Sequence, residues 1–309
     1  MKAMQVHSSG PNHPLSPADL PQPRPARGEV LIRVCAAGVT ITELSWYPTT
    51  HTKAGSPRAG AVPGHEFSGT VASVGENAAS FQVGDAVYGM NDWFADGATA
   101  EFCLTQPQNI ALKPASLSHQ EAATVPISAL TAWQGLFSRA NIKPGERVLV
   151  HGGAGAVGLF AVQLAHLHGA KVIATASSAT LDFVRALGAD QVIDYRSSRF
   201  EDRLDAVDVV FDTVGGDVRD RSWAVLKPEG RMVTIASDAE ATGDQRVKDA
   251  FLLVEANGAQ LKQIAQLLDA GTLKAFVKAV VPLADASLAY SGKLREQLGY
   301  GKVVVSIAS

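Results

Sequence analysis

The chain has 309 residues, of which 46% are hydrophobic and 18% charged, and its formal net charge is −3. This length predicts about two domains, and the charge balance excludes a strongly basic surface for nucleic acid or anionic lipid. No run of eighteen or more apolar residues occurs, and the first residues lack the long apolar core of a signal peptide. We therefore expect a cytoplasmic protein that binds neither nucleic acid nor membrane.

The first part of the chain, residues 1–122, is rich in Gly and Pro. Short β-like runs at 29–35, 69–75 and 86–89 are separated by turn signals such as Gly28 and Gly84. This pattern predicts a compact, mostly β, barrel-like domain.

From Ser118 the hydrophobic pattern changes from that of short strands to one that includes helices. Ser118 and Glu121 have the spacing of a capping box, which marks the start of a helix. Strands and helices then alternate through residues 123–255, which predicts a doubly wound parallel sheet with helices on both faces. The predicted strands are 147–151, Lys171–Ala176, Gln191–Asp194, Val207–Asp212 and 231–236, and the predicted helices are 156–168, 181–187 and 218–226.

The last part, residues 256–309, is expected to return to the first domain through a β-strand at 301–307. Before it, residues 259–270 form an amphipathic helical pattern that Gly271 ends. The apolar run 251–254 predicts one further strand. The fold class is therefore α/β, with a mostly β domain, a parallel-sheet domain and a C-terminal segment.

The most specific motif follows the strand at 147–151, where the sequence reads Gly-Ala-Gly-Ala-Val-Gly and a helix begins. In this context the first glycine makes a tight turn, the second lets the backbone approach a pyrophosphate, and the third lets the helix pack closely. The helix N-terminus also favours phosphate. The residues expected to cradle a dinucleotide are Gly153, Ala154, Gly155, Ala156, Val157 and Gly158.

The end of the next strand indicates which dinucleotide binds. An acidic residue there accepts the ribose hydroxyls of NAD and repels a 2′-phosphate. Here Lys171–Ala176 is followed by Ser177 and Ser178, and the first acidic residue is Asp182, inside the next helix. We therefore predict NADPH as the cofactor, although the two serines also suit a helix cap.

Taken together, several motifs resemble those of the zinc-free medium-chain dehydrogenases/reductases of the quinone oxidoreductase (zeta-crystallin-like) group. The resemblance runs along nearly the whole chain. It is carried by Ala-Ala-Gly-Val at 36–39, Pro-Gly-His-Glu-Phe-Ser-Gly at 63–69, and the segments 83–88, 129–133, 145–152, 186–190, 192–195 and 211–216.

The resemblance implies a GroES-like catalytic domain at 1–122, a Rossmann NADP-binding domain at 123–255 and a homodimer. It implies a cleft between the domains in which NADPH delivers hydride to a quinone or an α,β-unsaturated carbonyl. By position, Thr131 resembles the threonine at the nicotinamide end and Tyr195 the tyrosine against the 2′-phosphate. Val214, Ala236 and Ser237 resemble backbone positions that line the cofactor.

The sequence departs from this pattern in two places. The family often has a lysine after the second strand as a phosphate partner, but this chain reads Ser-Ala-Thr-Leu at 178–181, and Arg196 is the available substitute. The usual asparagine after Ala-Ala-Gly-Val is Thr40, which removes a carboxamide contact.

The sequence does not predict a zinc site. Zinc relatives use a Cys where this chain has Thr40 and a third ligand near Ile127, so only His65 and Glu66 remain, fewer than the three protein ligands of a catalytic zinc. The two cysteines, Cys35 and Cys103, are expected to be apolar core residues rather than a disulfide. His65 is then either a hydrogen-bonded structural residue or a polar group near the substrate.

Hydride transfer from a nicotinamide needs no protein nucleophile, so the protein's task is to orient the substrate and stabilise negative charge on its oxygen. The candidate catalytic residues are Tyr47, Thr40 and His65, with Thr42 as a further hydroxyl. Tyr47 follows Trp46 and has an alternative interpretation as part of a packed aromatic pair. Five other histidines have no metal-ligand spacing and are expected at the surface; they are His51, His119, His151, His166 and His168.

Two other functions remain open. One is an enoyl-thioester reductase of the same fold, and the other is a non-catalytic NADPH-binding sensor or crystallin-like protein. A zinc alcohol dehydrogenase is disfavoured by the missing ligands. The predicted strand at 251–254 is expected to pair across the dimer axis, as in the relatives that the motifs resemble.

Overall fold

The computed structural model describes residues 1–6, 15–78, 80–240, 242–296 and 299–307, without the side chains of 295 and 296. Two compact units are present: Met1–Ile127 together with Ala256–Ser309, and Ser128–Glu255. The boundary between them follows residue 127, five residues later than the sequence suggests. In the described part of the chain, no helix is long and apolar enough to cross a membrane.

The strands of the first unit form a seven-stranded sheet and a separate two-stranded sheet. In chain order, the strands are β1 (Lys2–Val6), β2 (Leu15–Asp19), β3 (Val30–Gly38), β4 (Glu66–Val74), β5 (Ala86–Met90), β6 (Phe102–Thr105) and β7 (Ile110–Leu112). The second unit contributes β8 (Arg147–Val150), β9 (Lys171–Ala176), β10 (Gln191–Asp194), β11 (Val207–Asp212) and β12 (Leu226–Thr234). The C-terminal part adds β13 (Val277–Pro282) and β14 (Lys302–Ser306).

The helices are short. They are α1 (Tyr47–Thr50), α2 (His119–Ala122), α3 (Pro126–Trp133), α4 (Gly158–Leu167), α5 (Leu181–Ala186), α6 (Gly216–Ser222), α7 (Gln245–Ala250), α8 (Gly258–Asp269) and α9 (Ala286–Tyr290). Helix α2 begins with the predicted capping box: the Ser118 side chain accepts from the Glu121 N–H, and the Glu121 carboxylate accepts from the Ser118 N–H. Gly271, with φ +70°, follows α8.

In the first unit, the long strands β3 and β4 pair antiparallel and bury apolar side chains. Val34 of β3, Phe67 of β4 and Val87 of β5 belong to one hydrophobic core cluster. Strand β14 pairs antiparallel with β3, with Val305 opposite Ala37, so the chain returns to this sheet at its end.

In the second unit, five parallel strands lie in the order β10-β9-β8-β11-β12. Helices connect these strands, as the alternating sequence pattern predicts, and the predicted α/β class with a mostly β domain and a parallel-sheet domain is confirmed. Since all five strands run the same way, their carboxyl ends share one edge of the sheet, the edge at which such sheets bind ligands.

One predicted strand is wrong. Residues 251–254 form a single bridge from Phe251 to Thr234 rather than a strand. Among the described residues, one further backbone hydrogen bond, from the Leu252 N–H to the Thr234 carbonyl, continues this pairing, and Leu253 is 58% exposed. The apolar run therefore covers the end of β12 without extending the sheet.

Candidate functional sites

The glycine-rich turn after β8 is closely packed against its own helix. A Cβ added to Gly158, the first residue of α4, would overlap the carbonyl oxygen of Gly152. Gly153 is also tight, since a Cβ there would lie 3.0 Å from the Cβ of Ala174. The third glycine of the motif thus permits the close helix packing that the sequence predicts.

The left-handed residue of the turn is Gly152, not Gly153 as the motif suggests. Gly152 has φ +71°, whereas Gly153 does not have a positive φ. A Cβ at Gly155, by contrast, would meet only one atom, the Gly152 carbonyl oxygen at 3.1 Å. The surface above Gly155 is therefore open to an approaching ligand.

The N-terminus of α4 suits a phosphate. Its N-cap is Val157, which provides no side-chain hydrogen bond to the first turn. The helix dipole places positive charge at this end. Within the first turn, the Leu159 and Phe160 N–H groups already donate to the Gly155 and Val157 carbonyls. A turn without side chains that leads into an uncapped ten-residue helix fits the pyrophosphate of a dinucleotide.

The end of β9 carries hydroxyls and no carboxylate. The Ser177 and Thr180 hydroxyls lie 3.1 Å apart, and Ser178 begins the short helical turn between them. Tyr195 lies beside the end of β9, because its N–H donates to the carbonyl of Ala176, the last residue of that strand, at 3.2 Å. Its ring is 57% exposed, and the Arg196 guanidinium carbon lies 5.9 Å from the ring centre.

The ends of β11 and β12 also meet at this edge. Asp212 is fully buried and accepts hydrogen bonds from the Val214 and Gly215 N–H groups and from the Thr234 hydroxyl. This carboxylate fixes the backbone before Val214, whose side chain is 53% exposed.

Residues Ala236 and Ser237 follow β12 at the same edge. The Ala236 N–H lies 3.3 Å from the Thr234 hydroxyl, and Ser237 opens a short 3-10 turn. The structure therefore brings Ser177, Ser178, Tyr195, Val214, Ala236 and Ser237 to one edge of the sheet, together with the glycine turn. Thr131 is instead buried within α3.

The first unit contains a buried charged cluster made of Glu43, His65, Glu66 and Lys302, each at most 5% exposed. The Glu43 carboxylate contacts His65 Nδ1 and accepts from the Gly64 N–H at 2.6 Å. The Lys302 ammonium contacts Glu66. Burial raises the pKa of Glu66, and Lys302 opposes that rise.

Two atoms of this cluster, Glu43 Oε2 and His65 Nε2, are among the buried side-chain atoms that have no hydrogen-bond partner in the described part of the chain. An unpaired buried polar atom costs about 1–3 kcal/mol, so such atoms are uncommon unless a ligand or water completes them. Beside His65 lies Trp93, with ring centres 5.3 Å apart, and Trp93 in turn contacts Trp46 at 5.4 Å.

The other catalytic candidates are less embedded. Tyr47 is 53% exposed and stacks on His51 with ring centres 4.5 Å apart. Thr40 is the residue before a 3-10 turn and caps it with no side-chain hydrogen bond. Glu43 and Lys302 were not predicted as site residues, because their partners lie 22 and 236 residues away in the chain.

Two of the three expected zinc-ligand positions hold no metal-donor side chain, and His65 occupies the remaining one. Thr40 replaces the cysteine, and the third position is the apolar Ile127. The Ile127 backbone N–H donates to Glu66 Oε2 at 2.9 Å. Over the described ranges, no group of three or more His, Cys, Asp or Glu side chains is arranged to hold a metal ion. Cys35 and Cys103 are free thiols, Cys103 buried.

The prediction that the remaining histidines are surface groups is wrong for His151. Its side chain is fully buried, with Nδ1 3.2 Å from the Thr175 hydroxyl and Nε2 2.8 Å from the Ser222 hydroxyl. His151 directly follows β8, the central strand of the parallel sheet. Because helices cover both faces of such a sheet, a residue at this position is buried.

The fold and the glycine turn define a nucleotide-binding oxidoreductase with a separate GroES-like unit. Residues 26–149 match the family model of the alcohol dehydrogenase GroES-like domain, and residues 187–305 match that of the zinc-binding dehydrogenase domain.

Individual proteins give the same result. The chain is 34% identical over 286 residues to the 2-methylene-furan-3-one reductase of Solanum lycopersicum, covering 90% of this chain and 71% of that one. It is 34% identical over 287 residues to the chloroplastic NADPH-dependent alkenal/one oxidoreductase of Arabidopsis thaliana, covering 90% and 72%. The structure of the quinone oxidoreductase from Coxiella burnetii superposes with a TM-score of 0.88 at 31% identity, over 100% and 99% of the two chains.

The chain therefore belongs to the medium-chain dehydrogenase/reductase family, in the group that contains the quinone oxidoreductases and enone reductases. It is an oxidoreductase of the GroES-like and Rossmann architecture. The resemblance identified from the sequence motifs is confirmed.

Proposed function

We propose that this protein is an NADPH-dependent reductase of quinones and α,β-unsaturated carbonyls, and that it works without a metal ion. The observation that carries the proposal is the glycine turn at Gly153, Gly155 and Gly158, open to a ligand above Gly155 and leading into the uncapped N-terminus of α4. The names of the relatives support the substrate class, since they act as an alkenal/one oxidoreductase and a quinone oxidoreductase.

The coenzyme would lie along the carboxyl edge of the parallel sheet. The backbone of Gly153, Ala154, Gly155, Ala156, Val157 and Gly158 would cradle its pyrophosphate with the help of the helix dipole, while the Gly153 and Gly155 N–H groups stay bonded to the Thr175 and Gly152 carbonyls. Val214, Ala236 and Ser237 would line the remaining part of the edge, and Thr131 would lie towards the nicotinamide. When bound, the reduced nicotinamide supplies the hydride.

A preference for NADPH over NADH follows from the end of β9. Ser177 and Ser178 provide hydroxyl and N–H groups, and no carboxylate follows the strand to repel a 2′-phosphate. Arg196, held near Tyr195, supplies the positive charge that the missing lysine provides in relatives. We expect Arg196→Gln to weaken NADPH more than NADH in fluorescence titrations, and equal weakening of both would contradict this assignment.

Of the three catalytic candidates, His65 is the best equipped to donate to the substrate oxygen. Glu43 holds Nδ1, and Nε2 is left without a partner among the described residues. Because Nδ1–H donates to the Glu43 carboxylate, Nε2 can donate to the substrate oxygen only when both ring nitrogens carry a proton. Such an imidazolium beside Glu43 would stabilise the developing oxyanion in a water-excluded site and could deliver the proton. Thr40 and Tyr47 would act as secondary hydroxyls, and the Trp93 ring beside His65 would contact a flat conjugated substrate.

The donor set also supports a metal-free reaction. A catalytic zinc needs three protein ligands, and the chain offers Thr40 and Ile127 at two of the expected positions. Without a metal ion, hydrogen bonds from the protein must stabilise the negative charge that develops on the substrate oxygen.

The proposed function is tested by mixing the protein with NADPH and a panel of quinones, enones and enals, and following the loss of reduced nicotinamide absorbance. We expect turnover with at least one conjugated carbonyl and none with the matching saturated ketones. Tight NADPH binding without turnover on any member of the panel would instead select a coenzyme-binding sensor.

A homodimer and a cytoplasmic location are further parts of the proposal. The exposed Leu253 beside the end of β12 offers an apolar contact for a second copy. Light scattering at micromolar concentration should give twice the mass of the chain, and a monomer would refute the dimer. The cytoplasmic location stays a prediction.

A further inference from the structure

A polar network lies directly beneath the glycine turn. It consists of His151, Thr175 and Ser222, and the side chains are at most 4% exposed. Nδ1 of His151 contacts the Thr175 hydroxyl, and Nε2 contacts the Ser222 hydroxyl at 2.8 Å. The Phe200 ring packs edge-on against the imidazole, with ring centres 4.7 Å apart.

The direction of each hydrogen bond in this network can be derived. The Ser222 hydroxyl donates its one proton to the Val218 carbonyl at 2.7 Å, so it can only accept from His151. His151 therefore carries its proton on Nε2, and Nδ1 is an acceptor. Nδ1 then accepts the proton of the Thr175 hydroxyl, which leaves the lone pairs of that hydroxyl free for a further donor.

That further donor belongs to the glycine turn. The Gly152 N–H donates to the Thr175 hydroxyl at 3.1 Å, and the Gly153 N–H donates to the Thr175 carbonyl at 2.9 Å. The Thr213 hydroxyl holds the His151 carbonyl from the other side at 2.8 Å. Gly152 is the left-handed residue of the turn, so this network fixes the point at which the backbone changes direction.

We infer that His151 is a positioning residue for the coenzyme: as the neutral Nε2–H tautomer, it orients the Thr175 hydroxyl, which holds the Gly152 N–H and sets the shape of the phosphate-binding turn. The inference rests on the proposed function for the identity of the ligand. The turn is complete before the coenzyme arrives, so less ordering is needed on binding.

The network is built for a neutral imidazole. The charged groups that act on His151 are Asp212, Arg221 and Glu201, of which Asp212 and Glu201 favour its protonation and Arg221 opposes it. Burial outweighs them and lowers the pKa of His151 to about 4. A proton on Nδ1 would replace an acceptor by a second donor facing the Thr175 hydroxyl, so the orientation of that hydroxyl would be lost.

The tautomer can be tested without the coenzyme. Long-range ¹⁵N–¹H correlation spectra of the ¹⁵N-labelled protein at neutral pH should show His151 with a protonated Nε2 and an unprotonated Nδ1. A proton on Nδ1, or exchange between both tautomers, would overturn the inference whether or not the protein binds NADPH.

Coenzyme binding tests the functional part. Thr175→Val removes the hydroxyl and should weaken NADPH about five- to tenfold, as for the loss of about one hydrogen bond. Thr175→Ser keeps the hydroxyl and should restore affinity. His151→Phe should weaken binding similarly, and the double variant should show no further loss, because His151 acts through Thr175.

Thr105→Val is the matched control, since it removes a buried hydroxyl bonded to the Met90 carbonyl in the other unit. It should lower thermal stability without changing the NADPH dissociation constant. In kinetics, Thr175→Val should raise KM for NADPH and leave kcat nearly unchanged. If wild-type protein binds NADPH and Thr175→Val binds it equally well, the inference is wrong; if wild-type protein binds no NADPH, the proposed function is wrong instead.

Discussion

Both units bury polar side chains near their candidate sites, but they do so in different ways. The first unit buries charges, in the cluster of Glu43, His65, Glu66 and Lys302, and leaves Glu43 Oε2 and His65 Nε2 unpaired. The second unit buries the neutral network of His151, Thr175 and Ser222, in which the two ring nitrogens and both hydroxyls have partners.

This difference separates two tasks. A fully paired neutral network holds its geometry and suits a binding turn that must keep one shape. A buried charged cluster with unpaired atoms can still form hydrogen bonds to a ligand. Such capacity suits a site that stabilises charge developing on a substrate.

The largest effect is expected from the ion pair of the charged cluster. Lys302→Met would leave Glu66 buried without its cation and should lower the free energy of unfolding by about 3–5 kcal/mol in urea titrations. The double variant Glu66→Leu/Lys302→Met should recover much of this loss, because it removes both charges together. Equal stability of Lys302→Met and the wild type would show that the pair is not desolvated.

The neutral network should make the free energy of unfolding depend on pH. Because the pKa of His151 is lowered to about 4 from an ordinary 6.5, its contribution is fully present above about pH 6.5 and is lost as the pH falls towards 4. The difference corresponds to about 3 kcal/mol at about 1.4 kcal/mol per pH unit. His151→Phe should flatten the pH dependence of unfolding in this window, and unchanged curves would contradict the assignment.

Activity should depend on His65 far more than on Tyr47. We expect His65→Phe to lower kcat about a hundredfold, the scale of a lost general acid, while the NADPH dissociation constant stays near that of the wild type. Tyr47→Phe should lower kcat much less, since Tyr47 is largely exposed and stacked on His51. The reverse order in steady-state kinetics would move the donor role to Tyr47.

The smallest effects separate packing from binding within the glycine turn. Gly158→Ala places a methyl group against the Gly152 carbonyl and should cost about 2 kcal/mol of stability. Gly155→Ala should affect stability less and NADPH affinity more, because its added methyl would stand where the ligand approaches. Thermal melts measure the loss of stability and fluorescence titrations the loss of NADPH affinity for each variant. Equal losses of both quantities in the two variants would contradict this expectation.

Local signals in the sequence predicted much of the fold. The strands Lys171–Ala176, Gln191–Asp194 and Val207–Asp212 occur at the predicted residues, because short segments rich in Val and Ile between helical segments are typical of buried parallel strands. The glycine motif predicted where the candidate coenzyme turn lies, because the spacing of its glycines after a strand is a local signal.

The errors came from long-range contacts. His151 looked like a surface histidine because its partners, Thr175 and Ser222, lie 24 and 71 residues away. Glu43 gave no signal of its burial beside His65, although an acidic residue between Thr42 and Leu44, just after a buried strand, is a position to examine. The apolar run 251–254 was read as a strand because composition does not reveal how much of the β12 edge is available for pairing.

The most direct test of the central claim uses NADPH deuterated at the transferable position of its nicotinamide C4, together with the best enone of the panel. The account predicts that deuterium appears on the β-carbon of the saturated product, that the rate shows a primary isotope effect, and that added chelator changes neither. Product without deuterium, or activity that chelator abolishes and zinc restores, would contradict it.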